Sequence, residues 1–253
     1  MTPVICTTLT SSQRTAIESL IHACSAHDRI RLSFPFDDGD LFVFLYEEHS
    51  LPHDAPLSVS AAAAFSFCGP DSWDCAAFTH PSFRGRGAFS ALLEAGLSRL
   101  PRESSIFFYV DPACRDTMAV LSALHAEHLA DEHMLELSPE NFSKFISIEE
   151  SSGSLTVVEV PGGSCRTLHI TIPNGEVFIH CHASHHYLYG LEIAPAHRGR
   201  GLGGFLLAQA LSVLFLREPK PVRLQVSGDN VAALSLYKKT GFRITETLSC
   251  YLF

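Results

Sequence analysis

Hydrophobic positions along this chain follow two periods. From Phe89 to Leu100 the apolar residues Phe89, Leu92, Leu93, Leu97 and Leu100 recur at intervals of three and four, the spacing of one helix face. A second apolar stretch, FLLAQALSVLFL from Phe205 to Leu216, predicts another helix. Upstream, SSQRTAIESLIHACSAHD predicts an opening helix with a serine cap, and DLFVFLYEE and AAAAFSFCG predict strands. In the second half SLTVVEV, CRTLHITI, EVFIHCHAS and YLYGLEIA predict an antiparallel meander with a turn at Pro173 to Glu176. Each of the two apolar helices is followed by a proline, a β-rich run (SSIFFYV and VRLQV) and then a further helix.

The pattern repeats. Two RGRG tetrads begin at Arg84 and Arg198, 114 residues apart, each after a strand closed by a proline (Pro81, Pro195) and each before a helix. Two similar domains are therefore expected, 1–141 and 150–253. The polar segment from Leu137 to Ser154 joins them, with the boundary between Phe142 and Ser151. The second domain lacks an opening helix.

Length and composition agree with this division: 253 residues, 46% hydrophobic and 18% charged, are enough for one large or two small cores. Lys and Arg number 18 against 27 Asp and Glu, a net charge of −9, which argues against a nucleic acid as main partner and suits an amine-bearing one. No secretion signal opens the chain and no apolar run is long enough to span a bilayer, so a cytoplasmic protein without membrane contact is expected. The eight cysteines include no C-x-x-C pair, and buried free thiols are expected.

The glycine-rich segment HRGRGLGG, His197 to Gly204, carries the candidate chemistry. Successive backbone amides at the start of a helix form an anion site, and glycines permit close approach and positive φ. Pyrophosphate is the natural guest. A P-loop is excluded, because no G-x-x-x-x-G-K-[ST] occurs. Gly199, Gly201 and Gly204 do match the dinucleotide pattern G-x-G-x-x-G. The preceding strands form a meander, however, no acidic residue ends VRLQV, and the twin loop has Ser90 at the third glycine. A plain tight turn would not call for arginines in both copies.

The segment RGRGLG after LEIAP resembles motif A of the GCN5-related N-acetyltransferases, the GNAT superfamily. VSGDNVAALSLYKKTGF, Val226 to Phe242, resembles that family's other hallmark, an Asn, a Tyr seven residues later and a closing Gly-Phe. The first half resembles the family more faintly through THPSFRGRGAFSALLEAG. The resemblance implies an α/β (α+β) fold of two tandem GNAT-like domains, each a mixed, mostly antiparallel sheet flanked by helices. It also implies acetyl-CoA as cosubstrate, with the pyrophosphate on the amides of Arg198, Gly199, Arg200, Gly201, Leu202 and Gly203. The pantetheine would run beside the strand carrying Leu191 and Ile193, where a bulge presents an N–H to the thioester oxygen. Asn230 would hold the cofactor arm and Tyr237 would protonate the departing thiolate.

The two halves are unequal. An offset of 116 residues, set by Val110 and Val226, places Cys114 against Asn230 and Leu121 against Tyr237, so the first half lacks the leaving-group acid. Its loop also has Phe89 in place of the sixth-position glycine; if that ring faces the core, the loop amides stay free for a second CoA. Acyl transfer to an amine needs a general base, for which Glu192 is preferred over His182, His185 and His186. His180 and His182 share a strand face at a spacing that could chelate zinc, but no carboxylate or cysteine pair completes a site and no metal is expected. The function expected is N-acetyl transfer to a primary amine of a small molecule or peptide, catalysed in the second half. The alternatives are a non-catalytic acetyl-CoA-binding module, which the intact Asn230 and Tyr237 oppose, and an aminoacyl-tRNA-dependent transferase, which the negative charge opposes.

Overall fold

A computed structural model describes residues 2–30, 33–47, 58–142, 155–160 and 166–253. In chain order the elements are β1 (Val4–Cys6), α1 (Ser11–Asp28), β2 (Leu41–Tyr46), β3 (Val59–Gly69), β4 (Ser72–Thr79), α2 (Ala88–Leu97), β5 (Ser105–Val110), α3 (Arg115–Ala123) and β6 (Glu127–Leu137). They continue with α4 (Pro139–Phe142), β7 (Thr156–Val160), β8 (Arg166–Ile172), β9 (Gly175–Cys181), β10 (His186–Ile193), α5 (Leu202–Arg217), β11 (Val222–Ser227), α6 (Val231–Thr240) and β12 (Arg243–Leu252). The strands and helices anticipated from periodicity are present. The cap of α1 is Thr10 rather than a serine: its hydroxyl accepts from the Gln13 amide while the Gln13 side chain accepts from the Thr10 amide, a reciprocal capping box.

Two compact units are resolved, Met1–Ala130 with Leu248–Phe253, and Asp131–Thr247. They do not follow the two sequence spans from end to end. The division falls within β6 and within β12, and most of the expected 142–151 boundary lies outside the described residues.

In the first unit β1 to β4 form an antiparallel run, β4 pairs β5 in parallel, and β5 pairs the Ser249–Leu252 segment of β12 antiparallel. Alanines 61 to 64 of β3 are buried on both faces, and their small side chains let a helix approach from each side. Ala62 and Ala64 lie with α1 through Ile17, Leu20 and Cys24, whereas Ala61 and Ala63 lie with α2 through Leu92 and Leu93.

The second unit repeats this order. β7 to β10 form an antiparallel meander, β10 pairs β11 in parallel, and β11 pairs residues 132–137 of β6 antiparallel. The β8–β9 turn closes at Ile172 and Gly175, with Asn174 left-handed at φ 68°. Helix α5 buries Leu206, Leu207, Ala210, Leu211 and Leu214 against Leu168, Ile170, Val177, Ile179 and Leu188. Leu135 and Leu137 of β6 are fully buried in the same core. Among the described residues, α4 is the only helix between β6 and β7.

Candidate active site

The site is built where β10 parts from its neighbours. β10 and β11 are paired only at His186–Val222 and Tyr187–Arg223, so the rest of β10 diverges from β11 and opens a cleft. On the other side, the register with β9 shifts between Tyr189 and Glu192. Gly190 and Leu191 form the bulge, and Gly190 takes φ 60°, a conformation that suits glycine. A Cβ there would also lie 3.2 Å from the Phe178 ring.

Beyond β10 a turn at Pro195–His197 leads into the tetrad. Gly199 and Gly201 have φ 75° and 80°, and Gly201 caps α5 with no side-chain hydrogen bond. The first amides of α5 have no intrahelical acceptor, and the helix dipole adds positive potential there. A Cβ built on Gly199 or Gly201 meets nothing within 4 Å. The loop is thus an open cradle of amides whose shape and polarity fit a diphosphate.

The arginine of this loop has a structural role that sequence reading missed. Arg198 donates through Nε to the Ile193 carbonyl at 2.8 Å, tying the loop to the end of β10, and its Nη2 lies 3.5 Å from Glu192 Oε1. An arginine in both copies is therefore compatible with a turn lock, and its presence does not by itself require an anion. Leu191 and Ile193 are partly buried against the core, so the polar groups they offer the cleft are main-chain. Glu192 is exposed and sits beside the bulge.

Asn230 caps α6, its Oδ1 accepting from the Ala233 amide at 3.1 Å. The carbonyl side of that amide is engaged, leaving its NH2 to donate to a ligand. The cap was legible in principle, since an Asn before an apolar helical run is a start signal. Leu236 of α6 approaches the first turn of α5, with a methyl 3.6 Å from where a Cβ on Gly203 would stand. The next residue, Tyr237, is buried with its ring 5.6 Å from Phe242, and burial pushes its hydroxyl pKa up.

The histidines lie elsewhere. His186 begins β10, fully buried, with Nε2 3.0 Å from the Glu218 carbonyl oxygen. His182 and His185 stack with ring centroids 4.8 Å apart in the turn before it, and burial holds His185 below the usual imidazole value. The bulge begins four positions beyond His186, about 13 Å along the strand. His180 Nδ1 is 2.8 Å from the Thr167 hydroxyl. Among the described residues no group of His, Cys, Asp and Glu is placed to hold a metal. An aromatic row unanticipated from sequence crosses the sheet face opposite the α5 core: His169 stacks on Phe178 at 4.2 Å and Phe178 on Tyr189 at 5.5 Å.

The first unit forms the same turn with different surroundings. Gly85 and Gly87 take φ 69° and 77°, and Arg84 donates through Nε to the Thr79 carbonyl at 3.1 Å. β4 and β5 pair only from Ser72–Ser105 to Asp74–Phe107, but the β3–β4 register runs unbroken from Ala61–Thr79 to Phe67–Trp73, so no bulge lies near the loop. Cys114 caps α3 without a side-chain bond, and Leu121 is buried. Phe89 packs against this unit's core, 6.2 Å from Phe108. Arg84 also grips Asp28 at 2.5 and 2.8 Å and Asp116 at 2.9 Å. The seven described cysteines are free thiols.

The acetyltransferase (GNAT) family profile matches residues 167–242, which contain the bulge, the glycine loop, Asn230 and Tyr237. Among curated proteins, the mycothiol acetyltransferase of Tsukamurella paurometabola is 46% identical over 64 residues, which is 25% of this chain and 22% of that protein. The matched stretch thus spans about a fifth of such relatives. Among solved structures, a GCN5-related N-acetyltransferase from Sphaerobacter thermophilus superposes with a TM-score of 0.65 at 14% identity, covering 99% of this chain and 95% of that one. A tandem GNAT protein from the clavulanic acid biosynthesis pathway gives 0.63 at 13% identity over 99% and 98%. At these identities the structural likeness speaks for the fold, and the profile speaks for the segment that holds the cleft. Residues 167–242 thus match the acetyltransferase (GNAT) family, and the chain as a whole has the fold of the GCN5-related N-acetyltransferases it superposes on.

Proposed function

We propose that the chain is an N-acetyltransferase whose second half moves an acetyl group from acetyl-CoA to a primary amine of a small molecule or peptide. The observation that carries this reading is the bulged, divergent end of β10 running into an open amide cradle, with a buried tyrosine one helix away. The relatives named mycothiol acetyltransferases support an amine acceptor of low molecular weight, but they match over a short stretch.

In this reading the amides of Arg198 to Gly203 hold the diphosphate, and the Asn230 side-chain NH2 and the main chain of Leu191 and Ile193 hold the pantetheine arm. When bound, acetyl-CoA supplies the activated acyl carbon and the sulfur leaving group. Glu192 takes the proton from the attacking amine, directly or through water, as the carbon–nitrogen bond forms. A bulge amide donates to the acyl oxygen, on which negative charge gathers. Tyr237 gives its proton to the sulfur as the carbon–sulfur bond breaks. A tyrosine hydroxyl is protonated at neutral pH, and burial, which raises the Tyr237 pKa, favours that form further. The test is thiol release from acetyl-CoA against a panel of polyamines, aminoglycosides, amino acids and peptide N-termini. No release above the no-acceptor rate with every acceptor class would overturn the reading.

A further inference from the structure

The first unit holds a cavity of about 950 Å³ whose described wall residues all belong to that unit. It passes through the gap that β4 and β5 leave beyond Asp74 and Phe107. On the α2 and α3 side the wall is apolar, with Phe89, Phe108, Val110 and Leu121; on the α1 side it carries Ser66, Asp74 and Tyr109. Among the described residues the charged wall residues are Asp28, Asp74, Asp116 and Arg84, three carboxylates against one guanidinium.

That guanidinium is already engaged. Arg84 bridges Asp28 and Asp116 at 2.5 to 2.9 Å, so its charge is balanced by the protein's own carboxylates, while Arg86 of the same loop lies over the Phe83 ring at 5.6 Å. Asp116 stands in the first turn of α3, where the offset of 116 residues puts Ala232 in the second half. Asp74 has no such counterpart. Its Oδ1 is buried and has no hydrogen-bond partner among the described residues; near the carboxylate stand the Cys68 thiol, which hydrogen-bonds to it, the thiols of Cys75 and Cys250, and Tyr109. A buried carboxylate oxygen without a partner is costly, and a cation brought against it removes that cost. A coenzyme diphosphate would instead add negative charge beside Asp116.

We propose that this cavity binds a primary alkylammonium ligand, its charged end on Asp74 and its apolar body in the gap between β4 and β5, and that the first glycine loop holds no coenzyme. This holds whether or not the second half is catalytic. Trp73, the single tryptophan of the chain, adjoins Asp74 and therefore reports on this unit alone.

The experiment titrates the full chain with n-hexylammonium, 1-hexanol and CoA, read by calorimetry and by tryptophan emission. Hexylammonium is expected to shift the emission saturably and to bind at least about tenfold more tightly than the neutral alcohol. Asp74→Asn is expected to erase that preference while leaving hexanol binding unchanged. Should this variant fail to fold, the wild-type comparison of ammonium with alcohol decides alone. Equal affinity for both, no saturable emission change with hexylammonium, or competition by CoA for the same emission change would each overturn the proposal.

Discussion

In both halves the first arginine of the tetrad donates through Nε to the last carbonyl of the preceding strand, Arg84 to Thr79 and Arg198 to Ile193. The two glycines that follow adopt the same left-handed values. What surrounds this common turn differs. In both loops a Cβ on either glycine would meet nothing within 4 Å, but the second loop follows a bulge and its arginine lies near one exposed carboxylate, at 3.5 Å. The first follows an unbulged strand, and its arginine is clamped by Asp28 from α1 and Asp116 from α3. One backbone motif can thus serve as a ligand cradle or as a structural corner, and the carboxylates within reach of its arginine help decide which.

The largest expected break comes from cutting the chain at residue 150. The second unit includes six residues of β6 paired with β11, and Leu135 and Leu137 are fully buried there. Residues 150–253 alone would lose that edge and those side chains, each worth about 1.5–3 kcal/mol of burial. They should show no cooperative melt by circular dichroism, whereas a two-state melt would mean that β6 is dispensable. Next, Tyr237→Phe should lower kcat about a hundredfold or more with KM for acetyl-CoA nearly unchanged, because an acid acts in the transition state. An unchanged kcat would assign Tyr237 to packing. Gly201→Val should weaken CoA binding at least about tenfold, since valine is strained at φ 80° and fills the cradle.

The smallest effect on catalysis separates the loops. Arg84→Ala with Arg86→Ala should leave acetyl transfer within about twofold, as expected if the two loops act independently. The same variant should cost about 1–3 kcal/mol of stability through Asp28, left half-paired. The hydrogen bond from Arg84 is the main reason the Asp28 carboxyl lies below its ordinary range. Its contribution is present above the unfolded carboxylate pKa and is lost as pH falls through the depressed folded value. Wild-type and double variant should therefore converge in stability at acid pH, and a constant difference down to pH 2 would refute that origin.

Much of this was legible in the chain. The meander, the two crossovers and the loop positions follow from apolar period and glycine placement, because those patterns are local. Cys114 and Leu121 likewise stand where Asn230 and Tyr237 do, as the start and the buried turn of matching helices. What was not legible depends on distant pairing. Nothing near Arg84 in sequence points to Asp28, 56 residues earlier. The unpartnered oxygen of Asp74 arises only once β3, β4 and β5 are assembled. The exchange of last strands, with β6 serving β11 and β12 serving β5, leaves no periodic signature, since each strand looks the same whichever unit receives it. The bulge at Gly190 was implied by resemblance alone.

The most direct test of the division between the two loops is the stoichiometry of acetyl-CoA binding to the full chain by titration calorimetry, with Trp73 emission followed in parallel. One equivalent should bind, with no change in tryptophan emission. Two equivalents per chain, or one that shifts the emission, would place the coenzyme in the first half and contradict the account.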